Sequence, residues 1–157
     1  MTYLPLTKEN IEVLKEQLPT MKDKFLKICL DALDTDVTPK DEVPDDVACA
    51  EVESTLLKKV FPDFPILPST TDLDFKLFTD KRFERITEPE IGCIIISPRN
   101  ATNYGHVGTF ITSERIASNN SFGPNKGKYT GNYTYEAWIQ EFKVKRGLRI
   151  YLYRIKD

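Results

Sequence analysis

Apolar positions in the first part of the chain recur at helical spacing. Ile11, Leu14 and Leu18 fall on one face of a helix that Thr7 can cap. Pro19 interrupts, Thr20 offers a new cap, and a second stripe runs through Met21, Phe25, Ile28, Cys29, Ala32 and Leu33. The stretch from Asp34 to Asp46 is polar and acidic, with Pro39 and Pro44, and reads as an ordered loop or short linker. A third helix is predicted to begin near Asp45 or Asp46, either of which can cap it, and to stop before Pro62. Phe61 to Ser69 is loop, and Thr70 or Thr71 opens a further helix over Leu73, Leu77 and Phe78.

From about residue 83 the pattern becomes that of strands. Cys93-Ile-Ile-Ile-Ser97 is a continuous β-branched run closed by Pro98. Gly105 to Thr112 and Arg115 to Asn119 form a hairpin across a Ser113-Glu114 turn. A Gly/Asn/Lys-rich loop from Gly123 to Gly131 precedes a helix from about Thr134 to Phe142, which bears Trp138. Leu148 to Ile155 is the last strand. Helices first and then a small antiparallel sheet define an α+β chain.

Composition narrows the classes. The 157 residues fit one domain, 1–157, in which 1–44 form a helical arm and loop packed on a core of 45–157. With 22 Lys+Arg against 24 Asp+Glu, the net charge of −2 lacks the cationic excess of a non-specific nucleic-acid binder. Three widely spaced cysteines suit neither a disulfide framework nor a zinc site, and no cofactor or metal is expected. The first residues have no basic start and no long apolar stretch. The expectation is a chain without a signal peptide or membrane span, made in the cytoplasm with its thiols reduced.

Three residues stand out for their chemistry. His106 is the single histidine, and it opens a strand between Gly105 and Gly108, small neighbours that leave room to approach the ring. Cys49 lies in the first turn of a predicted helix, where unpaired N–H groups and the helix dipole favour a thiolate. Cys29 and Cys93 read instead as small buried hydrophobes. Asn119 ends the strand after the one that His106 opens, so antiparallel pairing can bring its amide to the imidazole. A slip of one residue in register hands that role to Asn120, and a plain polar strand end is the remaining alternative. Tyr104, Phe122, Tyr129, Tyr133 and Trp138 surround the histidine strand in sequence, as core residues or as the lining of a groove.

A cysteine at a helix start, then Gly105-His-Val-Gly108, then a polar residue on the next strand: this order resembles the papain-like cell-wall cysteine hydrolases of the CHAP type, with NlpC-type peptidases as cousins. Gly92-Cys-Ile-Ile-Ile-Ser97 is similar to the strand that precedes the histidine strand in those families, although Cys93 stands where they usually carry Asp. Ala48-Cys-Ala-Glu51 also departs from the usual flank of the nucleophile. The likeness covers about residues 45 to 155 and extends to small phage and prophage proteins. It implies a papain-like core, with Cys49 as nucleophile, His106 as base, Asn119 as third residue, and an oxyanion held by the Cys49 N–H plus a donor near Asp45 or Asp46. It also implies a peptidoglycan amide or another peptide amide as substrate, met at the cell wall or carried there in a virion. The alternatives are a cytoplasmic cysteine peptidase or amidase on other amides, and a non-catalytic phage module on the same fold.

Overall fold

The computed structural model describes residues 7–38 and 48–157. Helix α1 (Lys8–Gln17) begins where Thr7 Oγ1 accepts from the Asn10 N–H, and α2 (Met21–Ala32) where Thr20 accepts from the Asp23 N–H. On α2 the buried stripe narrows to Phe25, Cys29 and Ala32, and Met21 stays exposed. Helix α3 (Cys49–Val60) starts at Cys49 itself, with Ala48 in the cap position and no side-chain cap. The expected caps Asp45 and Asp46 lie outside the described residues.

Helix α4 (Thr70–Thr79) opens at Thr70, one of the two expected starts, with Ser69 before it as the cap. Ser69 has the extended backbone a cap needs, and Thr70 spends its hydroxyl on the Arg99 N–H, 3.0 Å away. A short helix, α5 (Tyr135–Trp138), carries on as a π-helix over Ile139–Lys145. Among the described residues, no helix is long and apolar enough to cross a membrane.

The strands are β1 (Phe83–Ile86), β2 (Ile94–Ser97), β3 (His106–Phe110), β4 (Arg115–Asn119), β5 (Tyr129–Thr134) and β6 (Tyr151–Ile155). They form one six-stranded sheet in the order β1-β6-β2-β3-β4-β5, every neighbouring pair antiparallel. The chain is thus α+β, with five α-helices among the described residues. Strand β5 occupies part of what reads as loop in the sequence. Gly131 and Asn132 lower its intrinsic strand preference, and pairing with β4 supplies what the local sequence lacks.

Alternation along the strands builds two cores. Ile94, Ile96, Val107, Ala117 and Tyr153 face α2, α3 and α4, while Ile95, Phe110, Ile116 and Leu152 face α5 and the π-helix. The register shift between Ile116 and Ser118 sets one residue of β4, Ala117, against two of β5, Gly131 and Asn132. Tyr129 and Tyr133, four apart and due to share a face, therefore go to opposite cores.

The glycines beside His106 serve packing, which corrects the expectation that they open space at the ring. A Cβ on Gly108 would meet Ala117 O at 2.5 Å and Ile116 Cγ2 at 2.9 Å, and one on Gly105 would meet Arg99 N at 2.6 Å. Gly108→Ala should therefore lower stability by about 2 kcal/mol, read as a drop in the urea midpoint with the slope unchanged. A midpoint equal to that of the parent would show that β3 and β4 can part without cost.

Candidate active site

Cys49 and His106 line one cleft of about 430 Å³, together with the α4 start, Tyr104, Phe122, Tyr133 and two arginines, Arg99 and Arg146. Cys49 is delivered by the first position of α3, whose helix packs across β3 and β4. His106 is delivered by the first position of β3, opposite Ser97 of β2. The ring is 4% exposed and boxed by aromatics. Trp138 lies 5.2 Å away at 29°, Phe142 5.3 Å away at 18°, and Tyr133 meets the ring edge-on at 5.7 Å. The π-helix holds Phe142 4.6 Å from Trp138, and Trp138 Nε1 donates to Ser97 Oγ at 3.0 Å.

A backbone carbonyl determines the tautomer of His106. Lys128 O can only accept, so it takes the amide nitrogen of Asn120 at 2.8 Å; the same nitrogen reaches Thr130 Oγ1 at 2.7 Å. Asn120 Oδ1 is then left to accept from Asn132 Nδ2 at 3.1 Å. Asn132 Oδ1 accepts the single proton of the Ser118 hydroxyl at 2.6 Å. Ser118 Oγ, 2.9 Å from His106 Nε2, has only lone pairs left, so Nε2 donates and Nδ1 keeps the lone pair.

Asn119 does not take part. Thr109 stands opposite Ala117, so Asn119 shares their face toward α3, while His106, three residues before Thr109, points the other way. The side chain that meets the imidazole is Ser118 and not the expected Asn119, and Asn120 lies two side chains further along the relay. Ser118, Asn132 and Phe142 escape sequence reasoning because their roles depend on β4 parity, the β5 bulge and the π-helix. The one trace in the sequence is the polar run from Ser118 to Ser121. The aromatics divide: Tyr129 and Trp138 are fully buried core, while Tyr104, Phe122 and Tyr133 line the cleft.

The electrostatics differ from those expected at a helix start. Burial pushes the Cys49 thiol up to about 12, although the Ala50 and Val107 backbone groups pull the other way. Burial likewise pushes His106 down to about 3, helped by the positive charge of Arg146. The resting pair is therefore a neutral thiol and a neutral imidazole. Burial also raises the thiols of Cys29 and Cys93, so Cys49 is distinguished by its place on the cleft. One turn along α3, Glu53 is buried with Oε1 bonded to Thr109 Oγ1 and Oε2 without a hydrogen-bond partner in the described structure; burial lifts it to about 7.

Among the described residues, no group of three or more His, Cys, Asp or Glu side chains is placed to hold a metal ion. No family model matches the chain, and no curated protein matches it.

Two outcomes follow. Nitrogen-15 spectra of His106 should show the Nε2–H tautomer with no titration between pH 5 and 8, and a midpoint near 6.5 would overturn the burial argument. Glu53 binds its proton more tightly folded than unfolded. Its contribution to stability is thus complete below about pH 4.5 and is lost as the pH rises through about 7. Urea titrations of Glu53→Gln should lack that decline, and parallel profiles for the two proteins would refute it.

Proposed function

We propose that the protein is a cysteine-dependent amide hydrolase with a papain-like core, acting on a peptidoglycan amide. The observation that carries this reading is that Cys49, at the start of α3, and the single histidine line one cleft, with Nδ1 of His106 left unprotonated. The likeness of Gly105-His-Val-Gly108 and of the helix-start cysteine to the CHAP and NlpC-type enzymes supports it. So does the order of elements, a cysteine helix followed by an antiparallel sheet.

In this reading Cys49 Sγ attacks the amide carbonyl as its proton passes to His106 Nδ1. Because both groups are neutral at rest, proton transfer and S–C bond formation are coupled, and substrate enters before any thiolate exists. The C–N bond then breaks, the amine leaves with the proton from Nδ1, and a thioester remains on Cys49. Water, deprotonated by the same nitrogen, hydrolyses the thioester and restores the thiol. In the same reading the Cys49 N–H, in the first turn of α3, holds the oxyanion. The second donor expected near Asp45 or Asp46 lies outside the described residues.

The competing reading is a module that keeps the fold without the reaction, and the burial of both Cys49 and His106 is what favours it. Purified protein incubated with several cell-wall preparations, with mass spectrometry of the released fragments, separates the two. Cys49→Ala should abolish release. Ser118→Ala should lower kcat by about 10- to 100-fold with little change in KM, because the ring loses its tautomer and aim but not its substrate. Absence of fragments from every preparation, together with no alkylation of Cys49, would sink the hydrolase reading.

A further inference from the structure

On a chain of net charge −2, the cleft is locally cationic: its described lining holds Arg99 and Arg146 and no Asp or Glu. The two arginines differ. Arg146 is committed, with Nε and Nη2 on Glu141 Oε1 at 3.1 and 2.8 Å, Nη1 on Tyr104 O at 3.2 Å, and its guanidinium 4.8 Å over Phe142. Arg99 is exposed and takes part in none of the ion pairs among the described residues. Its guanidinium lies 5.7 Å from the ring of Tyr104, itself on the cleft.

The loop beneath Arg99 is tied down on both sides. Its N–H donates to Thr70 Oγ1 at 3.0 Å, and Asn100 Oδ1 closes the turn by accepting from the N–H groups of Thr102 and Asn103 at 3.0 and 2.7 Å. Asn103 Nδ2 then donates to Arg146 O at 3.1 Å. A guanidinium carried on a tied-down loop, with no ion-pair partner among the described residues and on the cleft that Cys49 and His106 line, matches the two oxygens of a carboxylate.

We infer that the substrate is a peptide carrying a carboxylate close to the scissile amide, and that Arg99 is the residue that selects it. The inference rests on the hydrolase reading for its scissile amide, but its test needs no turnover. The carboxylate is an acidic side chain or a free C-terminus, and the arms of the experiment tell these apart.

Full-length protein carrying Cys49→Ala is titrated with acetyl-Ala-Glu-Ala-amide, acetyl-Ala-Gln-Ala-amide and acetyl-Ala-Gln-Ala with a free C-terminus, followed by amide chemical shifts. At least one acidic peptide should bind about 10-fold more tightly than the neutral one, with the preference shrinking as salt rises. Arg99→Gln on the same background should bring all three to one affinity, while Lys59→Gln, near the far end of α3 and outside the cleft, should leave the preference intact. Equal affinities in the parent, no binding of any peptide, or a preference that survives Arg99→Gln would each overturn the assignment. A protein that prefers the acidic peptide yet releases no fragments keeps this inference and loses the hydrolase reading. One that cleaves wall amides without such a preference does the reverse.

Discussion

Strand β3 is buried along its whole length, and its alternation distributes residues to both layers of the fold. Val107 and Thr109 go to the helix α3 side, where Thr109 meets Glu53; His106 and Phe110 go to the α5 side, among Trp138, Phe142 and Tyr135. Gly108 between them lets β4 come close enough to place Ser118 on the imidazole. A strand with one wet face could not do this, because the histidine would then be solvated instead of enclosed by aromatic rings.

Burying an imidazole among three aromatic rings removes its water, and the lost hydration has to be offset by a hydrogen bond. The relay from Nε2 through Ser118, Asn132 and Asn120 does so and ends on a backbone carbonyl, a group that cannot reverse its role. Each amide orientation follows from the next, so the ring is held in one tautomer without a charged partner. A carboxylate in the position of Ser118 would raise the basicity of the ring. The neutral hydroxyl leaves it low, and the cleft stores a neutral pair at rest.

Charge near the site is arranged with the same economy. Arg146 is pinned by Glu141 and Phe142 and depresses His106 further, whereas Arg99 projects its charge from a tied loop. On the other side of the sheet, Glu53 lies one turn beyond Cys49 on α3 and raises the thiol when ionised. Cys49 thus sits between a buried acid that opposes its ionisation and a cleft whose described lining carries two arginines.

Much of the local structure was legible in the sequence by itself. Thr7 and Thr20 cap the helices that follow them, Pro19 separates those helices, α3 ends before Pro62, and the hairpin carrying His106 lies where its β-branched residues place it. These features depend on groups within a few residues of one another, so local composition decides them. The choice of Ser118 over Asn119 depends on strand parity, the split between Tyr129 and Tyr133 on a bulge formed by pairing, and the thiol of Cys49 on burial beneath distant elements. Register, bulge and desolvation are sums over residues far apart in the chain, and only the folded protein performs that sum.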